Sequence, residues 1–295
     1  MSIVVTGASG QLGRLTVEAL LRRGVPASDI VATGRDTTRI EEFADRGVVV
    51  RRADFADPDS LAAAFAGADR LLLVSTTTVD ERVANHCRAI DAAAAAGVSL
   101  VAYTSMSHAD TATTVLAATH RATEELLRQR GVPGVLLRNS WYLENYTGQL
   151  PLVLRNGAVV GSAGQGRISA ATRADYAEAA AVVLTTEGHA GKVYELGGDE
   201  AFTLTGLAAA ISAATGRQIT YTDLPADELV RVLTGADLPA ELAEVLADAD
   251  LGMSRDELLT TSGDLHRLLG RPATSLADAI ADALHREPAA ADHAG

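Results

Sequence analysis

Short apolar runs alternate with amphipathic stretches over the first 139 residues of the chain. The run from Ile3 to Val5 is apolar and β-branched, as expected of a parallel strand that is buried on both faces. From Leu12 to Leu21 apolar residues recur at helical spacing, so a helix follows this strand. The same alternation predicts further strands at residues 30–34, 48–51, 70–74, 99–104 and 135–137, and helices at 59–65, 81–96 and 116–130. Alternation of this kind predicts an α/β fold with a doubly wound, mostly parallel sheet.

The pattern changes after Asn139. Residues 140–172 contain aromatic residues and glycines without a clear period, which is typical of a loop-rich segment. The remaining elements are predicted as a helix at 175–184, a strand at 193–196, and a mostly helical region from 203 to 284 with one strand at 218–222. We therefore expect a smaller, mainly helical C-terminal lobe beside the main α/β domain.

Two domains and a tail follow from this division. The predicted boundaries are 1–139 for the main domain, with 175–198 returning to it, and 140–285 for the smaller substrate lobe, mainly as 140–174 and 199–285. Residues 286–295 are alanine-rich and polar, so we predict a disordered tail.

The segment between the first strand and the first helix is a glycine-rich turn, Gly7-Ala8-Ser9-Gly10-Gln11-Leu12-Gly13. Gly7 permits a tight turn, Gly10 lets backbone N–H groups approach a pyrophosphate, and Gly13 lets the helix pack on the strand. The helix N-terminus then faces the anion. A turn without a ligand is the alternative, because the commoner dinucleotide fingerprint is Gly-x-Gly-x-x-Gly. We predict a Rossmann-type nucleotide site with contacts from Gly7, Ser9, Gly10, Gln11 and Leu12.

The residue after the second strand indicates which nucleotide is bound. An NAD site usually has an acidic residue there to bind the ribose 2′-hydroxyl, and this chain has Arg35. A guanidinium suits the 2′-phosphate of NADP, and Arg39 could add charge. Asp36 stands beside Arg35 and argues the other way, and a solvated surface arginine is the alternative. We predict NADP(H) rather than NAD.

Composition narrows the classes of partner. The net charge of −13 and the pI near 4.9 argue against a nucleic acid or an anionic membrane, since both require a basic face. Cys87 is the only cysteine, so we expect no intramolecular disulfide and no multi-cysteine metal site. The chain shows neither a signal peptide nor a membrane-spanning apolar run. We therefore expect a soluble cytoplasmic protein that acts on a small molecule.

Ligands of such sheets bind at the carboxyl ends of the strands. The candidate residues after the fourth, fifth and sixth strands are Ser75, Thr76 and Thr77, then Thr104, Ser105 and His108, and finally Asn139, Trp141 and Tyr142. Ordinary turn chemistry is an equal alternative for each Ser or Thr, and a surface position is the favoured interpretation of His108. Trp141 is the only tryptophan and could stack on a flat ligand, although it could also belong to the core of the lobe.

The chain lacks the usual catalytic pair of alcohol and ketone dehydrogenases. That pair is Tyr-x-x-x-Lys, in which the tyrosine passes a proton to a developing alkoxide. Lys192 is the only lysine, and no tyrosine lies four residues before it. Ordinary ketone reduction is therefore disfavoured. An acceptor that becomes aromatic on taking up a hydride, such as a quinone or a cationic dye, needs much less help from an acid.

Five segments of the chain resemble those of a known family. They are Val5-Thr6-Gly7-Ala8-Ser9-Gly10-Gln11-Leu12-Gly13, Ala102-Tyr103-Thr104-Ser105, Leu137-Arg138-Asn139-Ser140-Trp141-Tyr142-Leu143-Glu144-Asn145-Tyr146, Ala171-Thr172-Arg173-Ala174-Asp175-Tyr176-Ala177 and Gly191-Lys192-Val193-Tyr194-Glu195-Leu196. The chain is similar to the NmrA-like atypical short-chain dehydrogenases over residues 1 to about 285, and within them to a bacterial branch of NADPH-dependent quinone oxidoreductases. The resemblance implies NADPH, a bilobal Rossmann fold and hydride transfer to a quinone.

The resemblance also implies one nucleotide contact and alternative functions, and the substrate pocket keeps the candidates drawn from the strand ends. Asp54 and Phe55 resemble an adenine-contacting pair, with a helix cap and a core phenylalanine as the alternative. Tyr103, Asn139, Trp141 and Tyr142 are the candidates for the substrate pocket, and no residue is assigned as the catalytic acid. Relatives of the same shape reduce triphenylmethane or azo dyes, and others only sense the redox state of the nicotinamide. The fold does not distinguish these functions.

Overall fold

The structure is a computed structural model that describes residues 1–285, so the predicted tail at 286–295 lies outside the described residues. The described chain forms two compact units. The first consists of Met1–Asn139, Arg173–Leu196 and Ser262–Arg271, and the second consists of Ser140–Thr172, Gly197–Thr261 and residues 272–285. Strands and helices are numbered below in chain order through both units.

The first unit contains a parallel sheet. Its strands are β1 (Ile3–Val5), β2 (Ile30–Gly34), β3 (Val49–Arg52), β4 (Arg70–Leu73), β5 (Leu100–Met106), β6 (Gly134–Asn139) and β8 (Val193–Leu196). The spatial order is β3-β2-β1-β4-β5-β6-β8, and every neighbouring pair is parallel. This confirms the predicted α/β fold with a doubly wound sheet. Strands β2 and β3 lie on one side of β1, whereas β4 and the later strands lie on the other, so the strand order reverses between β1 and β4. Folds of this kind bind ligands at that point.

Helices cover the sheet of the first unit. They are α1 (Gln11–Arg22), α2 (Glu41–Ala44), α3 (Pro58–Phe65), α4 (Arg82–Ala95), α5 (Val115–Gln129), α8 (Arg173–Thr185) and α12 (Asp264–Leu269). Phe65 of α3, Ile90 of α4 and Leu127 of α5 are buried in one apolar cluster with Leu71 and Val101 of the sheet. Helices α1 and α8 pack against each other and against strands of the sheet. Burial of β1, β2 and β4 on both faces explains their largely apolar sequences.

The second unit is mainly helical. Its elements are α6 (Glu144–Thr147), α7 (Leu150–Asn156), β7 (Ala158–Gly161), α9 (Leu204–Thr215), β9 (Thr220–Asp223), α10 (Ala226–Gly235), α11 (Ala240–Ser254) and α13 (Leu276–His285). Strands β7 and β9 pair in parallel as a second, two-stranded sheet. In the described part of the chain, no helix is both long enough and apolar enough to cross a membrane.

Two features of the fold differ from the expectation. Residues 140–172 contain strand β7 besides short helices, because pairing with β9 supplies hydrogen bonds that a run of four residues does not reveal by itself. Residues 262–271 belong to the first unit, although the predicted boundaries placed them in the smaller lobe. The cause is β8, an edge strand: Glu195 donates its N–H to Asp264 Oδ2 at 3.0 Å, and its carbonyl accepts from Ser262 Oγ.

The close packing of α1 on β1 makes a prediction about Gly13. A Cβ atom there would lie 2.3 Å from Gly7 O, in backbone that has no room to yield. We expect Gly13→Ala to lower the free energy of unfolding by about 1 to 3 kcal/mol, as overpacking does. In α9, a Cβ at Gly206 would meet its nearest atom at 3.5 Å, so Gly206→Ala should raise stability by about 0.5 to 1 kcal/mol. Urea denaturation measures both, and equal effects would contradict the packing.

Candidate active site

The turn after β1 leads directly into the N-terminus of α1. Gly7 has a φ of +62°, which favours glycine, and its carbonyl accepts the N–H of Gly10 at 2.9 Å. Ala8 donates its N–H to Thr33 O at 2.8 Å, which fixes the turn to β2. Helix α1 begins at Gln11 with no side-chain cap and no acidic residue in its first turn. An anion is the expected partner of such a helix end.

The remaining residues of this turn differ in exposure. Gly10 and Gln11 are exposed, Ser9 is half-buried, and Leu12 is buried under the turn. An added Cβ at Gly34 would lie 3.3 Å from Ser9 Oγ, so the end of β2 approaches the turn closely. The residues predicted to contact the pyrophosphate therefore lie together at the carboxyl ends of β1 and β2.

Arg35 lies directly after β2 and is exposed. Across residues 1–285 it makes no hydrogen bond and no ion pair, so its guanidinium is available to an anion. The neighbouring Asp36 is engaged locally: its Oδ1 accepts from Thr38 N at 3.0 Å and from Thr38 Oγ1 at 2.6 Å. These bonds from Thr38 lower the pKa of Asp36 and cap the 3₁₀ turn Thr37–Ile40. Arg39, in that turn, is also exposed.

Asp54 and Phe55 follow β3. The carboxylate of Asp54 accepts from Ala56 N at 3.0 Å, whereas Asp57 caps α3 by accepting from Ser60 N at 3.2 Å. The helix-cap alternative for Asp54 was therefore wrong, because the cap needs a residue directly before the helix. Phe55 is half-buried against the core and lies edge-on to the ring of His86.

The loop after β4 is held by side chains from neighbouring strands. Thr6 Oγ1 accepts from Val74 N at 2.9 Å, and Thr104 Oγ1 accepts from Ser75 N at 2.9 Å. Thr104 is almost fully buried, so its hydroxyl supports the loop. Thr76 is half-buried, and its Oγ1 has no hydrogen-bond partner among the described residues. Thr77 is exposed.

The ends of β5 and β6 present two more buried polar atoms. Ser107 donates its N–H to Asn139 O at 2.9 Å, which joins the two strand ends. Ser107 Oγ and Asn139 Oδ1 are buried and have no partner within the part of the chain that the structure describes. A buried polar atom without a partner costs about 1 to 3 kcal/mol, so both atoms are candidates for hydrogen bonds to a bound molecule.

Arg138 organises this edge, and sequence reasoning did not assign it a role. Its Nε and Nη2 pair with both oxygens of Glu124 at 2.9 and 2.7 Å, and its Nη1 lies 2.9 Å from both Glu195 and Asp110. Burial lowers the pKa of Arg138, but its hydrogen bonds with Glu124 and Glu195 outweigh burial and raise it. Ser105 donates to Glu124 Oε1 at 2.6 Å. An arginine inside an otherwise apolar strand is the signal that could have revealed the cluster.

His108 is tied to the same cluster. It is half-buried, its φ is +51°, and its backbone N–H donates to Glu195 Oε2 at 3.1 Å. The loop after β5 is thereby fastened to β8.

Tyr103 does not line a substrate pocket. It is fully buried in the core cluster, its hydroxyl hydrogen-bonds with His120 Nδ1 at 2.7 Å, and its ring packs edge-on to His86. Burial raises the pKa of its hydroxyl. The prediction was wrong because every residue of β5 is buried, and Tyr103 packs with Val101 in the apolar cluster that contains Ile90 of α4 and Leu127 of α5.

Trp141 and Tyr142 lie in the second unit, and both are half-buried. Ala171 pairs with this segment: its N–H donates to Trp141 O at 3.1 Å, and its carbonyl accepts from Leu143 N at 3.0 Å. In the first unit, Asp175 lies in the first turn of α8, where it is buried and pairs with Arg271 at 2.9 Å.

The chain matches a known family over most of its length. The model of the NmrA-like family matches residues 1–254. The chain belongs to the NmrA-like family. This confirms the family predicted from the motifs. This chain is 46% identical to quinone oxidoreductase 2 of Escherichia coli (strain K12) over 278 residues. The match covers 94% of this chain and 97% of the relative.

Solved structures agree. An NADPH-dependent quinone oxidoreductase from E. coli, complexed with NADPH, superposes with a TM-score of 0.93 at 45% identity, covering 96% of this chain and 99% of that one. The triphenylmethane reductase of Citrobacter sp., complexed with NADP(H), superposes with a TM-score of 0.91 at 36% identity, covering 96% of this chain and 100% of that one.

The buried hydrogen bond of Tyr103 makes a prediction about stability. Tyr103→Phe leaves His120 Nδ1 without that partner in the core, so we expect a loss of about 1 to 3 kcal/mol in unfolding free energy. Tyr194 and His189 form a pair with the same 2.7 Å distance, but both residues are only half-buried. Tyr194→Phe should therefore change stability by less than about 0.5 kcal/mol. Equal losses in thermal or urea denaturation would contradict the burial argument.

Proposed function

We propose that this chain is an NADPH-dependent quinone reductase. The observation that carries the proposal is the match to an E. coli quinone oxidoreductase, which extends over 94% of this chain at 46% identity. The exposed Arg35 supports the choice of NADPH, because a guanidinium free of partners among the described residues suits a 2′-phosphate.

The residues at the carboxyl edge fit the nucleotide. Gly7 and Gly10 shape the turn, and the N–H groups of Gln11 and Leu12 in the first turn of α1 bind the pyrophosphate, since no acidic side chain lies there. Arg35 binds the 2′-phosphate. The unpartnered Ser107 Oγ and Asn139 Oδ1 offer hydrogen bonds to the polar groups of a bound molecule. NADPH, when bound, supplies the hydride for the acceptor.

Catalysis by this chain is then mainly positioning. A quinone becomes aromatic on reduction, so the arriving charge is delocalised and no side chain needs to act as an acid. Tyr103, buried in the core, is not available for that task. Trp141 and Tyr142 of the second unit are the residues that we propose to hold a flat acceptor by ring stacking.

A triphenylmethane dye is the second candidate acceptor. The Citrobacter reductase of these dyes superposes with a TM-score of 0.91 at 36% identity. The NmrA protein itself is only 16% identical, so its TM-score of 0.75 shows a shared fold and carries no argument for a sensor.

We also propose that the enzyme works in the cytoplasm. Its single cysteine, Cys87, suits a reducing compartment. Its acidic charge suits a small-molecule substrate and disfavours nucleic acid.

Turnover of the purified chain tests the function. We expect NADPH oxidation, followed by its absorbance, to accelerate on addition of benzoquinones and naphthoquinones, with NADPH alone as the control. A cationic triphenylmethane dye and an aldehyde complete the panel, and the aldehyde should not react. A chain that binds NADPH but oxidises it no faster with any acceptor would instead be a sensor.

Arg35→Asp tests the choice of nucleotide. Repulsion of the 2′-phosphate should raise the dissociation constant for NADPH by about tenfold to a hundredfold, while that for NADH changes little. Arg128→Asp makes the same change in net charge on the last turn of α5 and should affect neither nucleotide. Equal losses for both nucleotides in Arg35→Asp would refute the assignment.

A further inference from the structure

The peptide groups on both sides of Thr76 are held by side chains of α4. The backbone N–H of Thr76 donates to His86 Nε2 at 3.2 Å. Its carbonyl accepts from Arg82 Nε at 3.0 Å and from Arg82 Nη2 at 2.9 Å. These three bonds fix the loop after β4, next to the point between β1 and β4 where the strand order reverses.

Helix α5 holds the two clamping side chains in turn. His86 Nδ1 lies 2.9 Å from Thr123 Oγ1, and Arg82 Nη1 donates to Thr119 Oγ1 at 2.8 Å. Since a backbone N–H can only donate, His86 Nε2 accepts, and the ring proton of the neutral histidine sits on Nδ1. Burial and then the charge of Arg82 lower the pKa of His86 to about 3, so the ring stays neutral at physiological pH.

Without a bound ligand, this arrangement destabilises the folded state. Arg82 is only 5% exposed, and it has no carboxylate partner among residues 1–285. A buried cation without an anionic partner is destabilising. Thr76 Oγ1 adds a second cost, because it is buried without a hydrogen-bond partner in the described chain. An anionic ligand against this loop would offset the buried charge of Arg82, and a hydrogen bond from that ligand would satisfy Thr76 Oγ1.

We propose that His86 and Arg82 are positioning residues that present the hydroxyl of Thr76 to the bound NADPH. Neither residue touches the nucleotide in this arrangement. They hold the Thr76 peptide so that its Oγ1 makes a hydrogen bond to the ligand, and the charge of Arg82 favours the anionic nucleotide. The inference rests on the proposed use of NADPH, but it concerns binding and can be tested without any quinone.

Removal of the hydroxyl is the direct test. Thr76→Val keeps the backbone clamp and the side-chain shape, and we expect the dissociation constant for NADPH, measured by its fluorescence, to rise about fivefold to tenfold. Thr78→Val, an exposed change in the same loop, should leave binding unchanged. Parental affinity in Thr76→Val would overturn the proposal.

A matched pair at His86 tests the clamp. His86→Leu removes the acceptor for Thr76 N–H, and we expect NADPH affinity to fall about tenfold. His86→Gln places an amide oxygen near the former Nε2, so it should recover affinity to within about threefold of the parent. A purely structural role would lower the melting temperature in both variants and leave the affinity of the folded fraction unchanged, which would refute a positioning role.

Two outcomes separate this inference from the proposed function. If the parent chain binds NADPH but reduces no quinone, the proposed reaction is wrong, and the affinities of His86→Leu and His86→Gln still decide the role of the clamp. If His86→Leu does not fold, comparison of Thr76→Val with Thr78→Val decides the role of the hydroxyl, and a loss of affinity well beyond threefold in His86→Gln would overturn the clamp. Parental affinity in every folded variant overturns the clamp, whatever the turnover.

Discussion

The structure depends on satisfying the backbone groups that the parallel sheet leaves open where its strands end. At the carboxyl ends of the strands, side chains supply hydrogen bonds to backbone groups that no longer pair with a neighbouring strand. Thr33 Oγ1 donates to Val5 O at 3.2 Å, Thr6 accepts from Val74, and Thr104 accepts from Ser75. Buried peptide groups without such partners would destabilise the sheet. The same bonds hold the loops of the binding edge in place before any ligand arrives.

The elements of the first unit could be predicted because their burial leaves a continuous trace in the sequence. Strand β2, which is buried throughout, has the bounds that its apolar run indicated. Strand β7 could not be predicted in this way, because its stability comes from β9, which lies about 60 residues further along the chain. Helix α12 likewise belongs to the first unit through bonds to β8 that no local pattern records.

In the candidate site too, local motifs could be predicted from the sequence, whereas contacts between distant residues could not. The glycine turn is a local motif, so its position followed from the residues themselves. Tyr103 was misjudged because β5 is buried along its whole length, on both faces, and its position at the end of an apolar run does not show this. The cluster around Arg138 was missed because its partners Glu124 and Glu195 lie 14 and 57 residues away in sequence.

The only lysine in the sequence lies at the end of the sheet opposite to the binding loops. Lys192 is exposed and directly precedes β8. It therefore lies where this parallel strand begins, a full strand length from the carboxyl ends of the strands. Coupling through the side-chain amine of Lys192 to a sensor chip or resin would attach the first unit by that end and leave the binding loops facing the solution.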